Sequence, residues 1–210
     1  MIRILIADDH DVVRSGLREL LETQPNWQVV GEASNGKEAV SKAVETKPDV
    51  AVIDYSLPML NGLDVTRQIR EHVPKTEILV FTMHDNDALI QEALRAGARG
   101  YLLKSDVQQH LIEAIRSMAI HKPFFTAQIS EERLEAYAAN PNRSVSPITD
   151  RERSVVQLIA QGHPNKVVAS TLNISVKTVE THRAAVMRKL NLSSSAALVR
   201  YAIRNNIVEA

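Results

Sequence analysis

The stretch Ile4-Leu5-Ile6-Ala7-Asp8-Asp9 is a short apolar run that ends in two acids. Three later runs end in the same manner. Asp54 closes Val50-Ala51-Val52-Ile53, Thr82 closes Ile78-Leu79-Val80-Phe81, and Lys104 closes Tyr101-Leu102-Leu103. Short apolar runs without alternation suit strands buried on both faces, as in a parallel sheet covered by helices. In such open sheets ligands gather beyond the carboxyl ends of the strands, where strand order reverses. The pattern therefore brings three carboxylates, a hydroxyl and an ammonium to one edge. A lone Asp after a strand is usually a turn or cap residue. The whole set points instead to a divalent cation and a phosphoryl group.

Working outward, the strands expected are Arg3–Ala7, Gln28–Glu32, Val50–Asp54, Glu77–Thr82 and Gly100–Leu103. Amphipathic stretches near 11–23, 36–46, 62–71, 87–96 and 107–119 separate and follow them. Gly31, Asn35-Gly36, Pro48, Asn61-Gly62, Pro74 and Gly97 punctuate this alternation as turn and cap residues. The fold expected for residues 1–120 is an α/β unit with a parallel five-stranded sheet. Residues 121–147 break the alternation, with Pro123, Pro141 and Pro147 among Asn and Ser, and are expected to form a linker with a short helix over 131–139. Residues 148–210 are expected to be all-helical. Thr149 and Glu152 match a capping box. Gly162 ends the first helix, residues 165–172 form a second, Ser175 caps a third reaching about Leu190, and Ser193 or Ser194 starts a fourth through about Arg204.

Composition narrows the class. The 210 residues include no cysteine, which excludes disulfides and thiolate metal sites. No apolar run approaches the roughly 18 residues of a membrane span, and no signal-peptide pattern is visible at the N-terminus. A soluble cytoplasmic protein is expected, without a membrane partner. The net charge of zero conceals an asymmetry. Residues 1–123 carry 14 Lys+Arg against 18 Asp+Glu, a net of −4; residues 124–210 carry 11 against 7, a net of +4. An acidic regulatory unit joined to a basic nucleic-acid module fits that division.

The chemistry of the acidic edge is specific. A carboxylate can act as a nucleophile toward phosphorus and form an acyl phosphate, and phosphoryl transfer depends mainly on positioning and charge neutralisation. Magnesium takes oxygen ligands and keeps several waters. Asp8, Asp9 and Asp54 can supply its carboxylates, and Lys104 a compact positive charge.

The segments Ile4-Leu5-Ile6-Ala7-Asp8-Asp9-His10, Asp54-Tyr55-Ser56-Leu57-Pro58-Met59-Leu60-Asn61-Gly62, Thr82-Met83-His84-Asp85 and Gly100-Tyr101-Leu102-Leu103-Lys104 resemble a response-regulator receiver domain. The resemblance implies a flavodoxin-like (βα)5 fold and phosphorylation of Asp54 by a sensor histidine kinase. It further implies Mg2+ on Asp8, Asp9, Asp54 and the Ser56 carbonyl, Asp9 being the more direct of the paired acids. Thr82 and Lys104 would contact the phosphoryl group, and the Tyr101 ring would rotate inward on activation. Ser105 stands where many receivers carry proline, so their cis-peptide turn is not assumed here.

Residues 149–208 resemble the LuxR-type helix-turn-helix domain. The match runs through Thr149-Asp150-Arg151-Glu152-Arg153, Leu158-Ile159-Ala160-Gln161-Gly162, Lys177-Thr178-Val179-Glu180-Thr181-His182-Arg183 and Met187-Arg188-Lys189-Leu190. Together the two resemblances place the chain in the NarL/FixJ class. They imply a non-enzymatic transcription regulator that binds double-stranded promoter DNA, pairs as a homodimer when active and contacts the transcription machinery. A recognition helix presents its outer face to the major groove. Val179 and Val186 suit the inner face of the third helix. Glu180, Thr181, Arg183 and Ala184 are the candidates for base edges. Lys166, Lys177, Thr178, His182, Arg188 and Lys189 are assigned to phosphates or helix packing. Two rival readings remain: a phosphohydrolase with Asp8 as nucleophile, disfavoured by the fused helical module, and a phosphorylation-independent transcription factor whose first domain binds protein or ligand.

Overall fold

A computed structural model describes residues 1–84, 87–126, 147–205 and 207–208. The chain separates into two compact units, Met1–Arg143 and Ser144–Ala210. In the first, strands β1 (Ile2–Ala7), β2 (Trp27–Ala33), β3 (Val50–Asp54), β4 (Glu77–Thr82), β5 (Gly100–Leu103) and β6 (Phe124–Phe125) form one sheet ordered β2-β1-β3-β4-β5-β6. Every pairing is parallel. The sequence steps from β1 to β2 on one side and from β2 to β3 across to the other. The switch point therefore lies between the ends of β1 and β3.

Helices α1 (Asp11–Glu22), α2 (Gly36–Thr46), α3 (Gly62–His72), α4 (Asp87–Ala96) and α5 (Val107–Ala119) connect and follow the first five strands. Leu17 and Leu21 of α1 and Leu111, Ile115 and Met118 of α5 pack with Ile4, Ile6, Val52 and Leu79 on one face. On the other, Leu63 of α3 and Leu89, Ile90 and Ala93 of α4 pack with Tyr55, Val80 and Tyr101. Strands β3 and β4 are buried along their whole length, which is why their sequences do not alternate. Each fully buried Leu or Ile contributes about 1.5–3 kcal/mol.

Caps fix where the helices begin. The Asn35 side chain accepts the Glu38 N–H at the start of α2, and Asn61 accepts the Asp64 N–H at the start of α3. Two glycines permit close approach in the loop after β3. A Cβ on Gly62 would lie 2.4 Å from the Asp54 carbonyl oxygen, and one on Gly36 would lie 2.1 Å from the Leu60 carbonyl oxygen.

The sheet corrects the expectation of five strands. Phe124 and Phe125 pair with Gly100 and Tyr101 as a sixth, two-residue strand. His121 adopts a left-handed φ of 60° and turns the chain back after α5, and the Phe124 N–H donates to the Arg99 carbonyl. Pro123 read as a linker residue, yet an edge strand tolerates proline at its entrance. The two Phe side chains supply apolar surface for opposite faces of the sheet. The short helix expected over 131–139 lies outside the described residues.

The second unit contains α6 (Asp150–Ala160), α7 (Asn165–Leu172), α8 (Val176–Lys189) and α9 (Ser195–Arg204). Thr149 and Glu152 form the expected capping box, and Ser175 and Ser194 cap α8 and α9. Ile148, Val156, Val186, Leu198, Ala202 and Ile207 form its core. Asn173 ends α7 in the left-handed conformation at φ 54° and makes the tight turn into α8.

The Gly62 contact gives a direct test. Gly62→Ala should destabilise the first unit by about 1–3 kcal/mol through overpacking. Gly16→Ala on α1, where a Cβ meets nothing within 4 Å, should stabilise it by about 0.5–1 kcal/mol. Urea unfolding followed by the fluorescence of Trp27, the chain's one tryptophan, reads both. Equal effects of the two substitutions would contradict this packing.

Candidate functional site

Strand register brings the acids together. Ala7 pairs with Ile53, so Asp8 and Asp54, each the next residue, emerge side by side at the switch point. Asp8 is fully buried and Asp54 is 2% exposed, whereas Asp9 lies at the surface. Lys104 follows β5 in a 3-10 turn, Lys104–Asp106, and reaches back across β4. Its Nζ lies 2.8 Å from Asp8 Oδ2 and 3.1 Å from Asp54 Oδ2. Apart from that ammonium, neither oxygen has a hydrogen-bond partner among the described residues. The ammonium also sits 5.5 Å from the centre of the Phe81 ring.

Two buried carboxylates thus share one ammonium. Burial pushes Asp54 up to about 7, although Lys104 opposes the shift. Asp8 adds repulsion, while Lys104 and the Ser56 N–H hydrogen-bond to the carboxylate and favour its ionised form. For Lys104 burial acts to lower the pKa, but Asp54 and Asp8 outweigh it and the net shift is upward. The site fits a divalent cation on this evidence. Its excess negative charge is buried, its donors are hard oxygens, and Asp9 provides a further carboxylate at the rim.

His10 and Arg14 take part without having been assigned roles from sequence. His10 Nδ1 lies 2.9 Å from Asp9 Oδ1 and 3.2 Å from Asp8 Oδ1, and the His10 backbone N–H donates to Asp8 Oδ1 at 2.9 Å. The neighbouring Asp9 carboxylate holds the His10 pKa above the usual histidine range. The Arg14 guanidinium donates to the Asp8 carbonyl at 2.7 Å and pairs with Asp11. The position of His10 directly after the acids was a usable signal. Arg14 reaches Asp8 by the first turn of α1, a contact that strand-end reasoning does not examine.

Thr82 is buried at the end of β4, and its Oγ1 accepts the His84 N–H at 3.1 Å. The His84 carbonyl in turn accepts the Tyr101 hydroxyl at 2.5 Å. Tyr101 is 1% exposed. The Tyr101 ring is thus enclosed in this structure, with its hydroxyl held by the His84 backbone. Ser56 is half-buried and contributes its N–H to Asp54. Beside Lys104 and Phe81 a cavity of about 570 Å3 opens between α1 and α5, lined by Val13, Leu17, Leu20 and Val107 among others.

In the second unit α8 buries Val179 and Val186. Lys177, Glu180, Thr181, Ala184, Arg188 and Lys189 are exposed, while Thr178, His182 and Arg183 are half-buried. Several of these polar side chains have partners within the unit. Lys189 Nζ lies 2.7 Å from Glu152 Oε2, Arg183 donates to Ser195 Oγ at 2.6 Å, and Thr178 Oγ1 lies 2.8 Å from Ser175 Oγ. The Thr181 hydroxyl donates to the Lys177 carbonyl. Lys166, on the first turn of α7, is exposed.

Both units match known proteins. Residues 4–116 match the response regulator receiver domain, and residues 146–202 match the bacterial regulatory proteins of the luxR family. The oxygen regulatory protein NreC of Staphylococcus aureus is 38% identical over 99% of this chain and 100% of its own. RcsB of Salmonella enterica serovar Typhimurium, solved bound to the promoter rprA with the phosphomimetic BeF3−, is 26% identical with a TM-score of 0.68 over 95% of this chain and 97% of that one. A LuxR-family two-component response regulator from Aurantimonas is 38% identical with a TM-score of 0.61, covering 66% of this chain and 99% of its own. Among the described residues no helix is long and apolar enough to cross a membrane.

The charge balance at Asp54 yields a pH signature. Folding raises its pKa from 3.8 to about 7, so the folded state holds a proton that the unfolded chain releases between those values. Stability falls as pH rises through that window. Asp54→Asn removes the charge, so in the presence of a chelator it should stabilise the first unit by up to about 4 kcal/mol above pH 7. The gain should shrink steadily toward pH 4. Thermal unfolding monitored at Trp27 measures it; a difference independent of pH would contradict the assignment of burial as the cause.

Proposed function

Because this chain belongs to the two-component response regulators of the NarL/FixJ class, a receiver joined to a LuxR-type DNA-binding domain, we propose that Asp54 is its phosphoryl acceptor and that phosphorylation there controls DNA binding. The observation that carries this reading is the buried trio of Asp54, Asp8 and Lys104 at the switch point. An Asp54 carboxylate oxygen bonds to phosphorus as the bond from phosphorus to the nitrogen of a histidine kinase's phosphohistidine breaks. Lys104 is placed to follow the negative charge from the carboxylate to the phosphoryl oxygens. Asp8, Asp9, Asp54 and the Ser56 carbonyl would hold Mg2+, which supplies charge neutralisation to the transferring group when bound. The site acts as a switch on its own Asp54 rather than as an enzyme on exogenous substrate.

The route outward starts at Thr82. Its hydroxyl now accepts from His84, and donating to a phosphoryl oxygen would rearrange that pairing. The His84 carbonyl holds Tyr101, so the backbone at His84 joins the acceptor to the surface of α4 and β5. A change there would favour pairing of two copies on adjacent half-sites. Moving a two-state equilibrium from 1:99 to 99:1 requires about 5.5 kcal/mol of differential stabilisation. On DNA, α8 would enter the major groove, with Glu180, Thr181, Arg183 and Ala184 toward base edges. Lys166, Lys177, Thr178, His182, Arg188 and Lys189 would lie toward phosphates or the domain interior. In this reading Lys189 gives up or shares Glu152, and Arg183 gives up Ser195. The promoter complex of RcsB supports a DNA-bound state for this architecture, and a cytoplasmic location and contact with the transcription machinery accompany it.

Selection of binding sites at controlled salt tests this reading. With Mg2+ and phosphoramidate, wild type should tighten on its selected site while Asp54→Ala stays at the basal level. Equal binding of both proteins with and without the phosphodonor would remove Asp54 as the controller. In the same assay Lys177→Ala should weaken all sequences alike and reduce the salt slope by about 1. Glu180→Ala should alter preference at one base pair by about 1–3 kcal/mol.

A further inference from the structure

The acidic pocket holds a nitrogen donor that a magnesium site does not need. One ligand atom from each of Asp8, Asp9, His10 and Asp54 lies within 4.8 Å of every other. His10 Nδ1 stands 2.9 Å from Asp9 Oδ1 and 3.2 Å from Asp8 Oδ1. Two ligands bound to one ion at about 2.1 Å are themselves about 3.0–3.4 Å apart in octahedral or tetrahedral geometry. The imidazole and the two carboxylates therefore already have the spacing of neighbouring ligands. Their negative charge is not matched locally, since Lys104 is shared by Asp8 and Asp54.

The imidazole is also held in place. His10 occupies the N-cap position of α1 with an extended backbone, φ −92° and ψ 111°. Its N–H donates to Asp8 Oδ1, and its carbonyl accepts the Arg14 N–H at 3.0 Å. Its side chain is half-exposed, so an ion entering from solvent meets Asp9 and His10 before the buried Asp8. Magnesium gains little from imidazole because it favours oxygen. Divalent transition ions bind imidazole well, with affinity rising from Mn2+ through Ni2+.

We propose that His10 makes this pocket a mixed nitrogen and oxygen site, in which its Nδ1 joins Asp8 and Asp9 in binding a divalent transition ion in competition with Mg2+. The inference rests on the reading that the pocket takes a divalent cation. It adds that His10 sets which cations the pocket prefers. A transition ion held there would occupy the carboxylates that the phosphoryl-acceptor site needs for magnesium.

Calorimetric titration of the full-length protein at one fixed, mildly alkaline pH tests it, with Ni2+ and Mg2+ as the probes. Wild type should bind one Ni2+ about tenfold or more tighter than Mg2+, and excess Mg2+ should displace it. In His10→Asn, which keeps a favourable N-cap residue, Ni2+ affinity should fall about tenfold or more while Mg2+ affinity changes less than about twofold. The chain's other six histidines remain in both proteins, so they do not contribute to the difference. Unchanged Ni2+ affinity in His10→Asn would overturn the proposal. An equal loss for both ions would also overturn it, by showing that His10 only maintains the pocket. Ni2+ binding that depends on His10 in a protein that takes up no Mg2+ would support the His10 assignment and overturn the magnesium reading instead.

Discussion

The Lys104 ammonium, suspended between Asp8 and Asp54, is the interaction on which the charge balance of the first domain's acidic edge depends. At an effective dielectric constant of about 20, each contact near 3 Å is worth about 5 kcal/mol in Coulomb energy. Taking each charge out of water costs several kcal/mol. One ammonium therefore comes close to offsetting one buried carboxylate but not two. The Asp54 pKa of about 7 expresses that shortfall. The fold tolerates it because the β1 and β3 ends are fixed by the buried apolar residues Ile4–Ala7 and Val50–Ile53. In the proposed function, that deficit of positive charge would make the pocket receptive to a divalent cation and then to a phosphoryl group.

That local imbalance has a path to the rest of the receiver. Thr82, His84 and Tyr101 form a short chain of hydrogen bonds from the end of β4 to β5. Each link uses the His84 backbone, so a shift at Thr82 acts on Tyr101 without passing through side-chain packing. Tyr101 is buried against α4 residues Leu89, Ile90 and Ala93. A rearrangement around that ring must alter how α4 packs, because interiors are close-packed and transmit strain.

Much of this was legible in the sequence because the decisive features are local. Unalternating runs such as Val50–Ile53 require burial on both faces, and each ends at a charged or hydroxyl residue that marks the sheet's carboxyl edge. Asn35, Asn61, Thr149, Ser175 and Ser194 cap helices through bonds within three residues, so the starts of α2, α3, α6 and α8 followed directly, and that of α9 to within the choice of Ser193 or Ser194. Val179 and Val186 identified the inner face of α8 from a seven-residue spacing. What escaped was non-local. The Phe124–Phe125 strand depends on an edge left open by β5, hidden behind Pro123. The Lys189–Glu152 and Arg183–Ser195 contacts join different helices and carry no periodic signal. His10 stood in plain view within the acidic motif, but its bridging position requires the turn geometry to be known.

Among the three clustered acids, Asp54 is the one proposed to receive the phosphoryl group. Borohydride reduction converts an aspartyl phosphate to homoserine, which peptide mass spectrometry locates. After incubation of the full-length protein with Mg2+ and a small phosphodonor, homoserine should be found at position 54 and not at 8 or 9. Homoserine at Asp8 or Asp9, or none in a protein shown to bind Mg2+, would contradict the account.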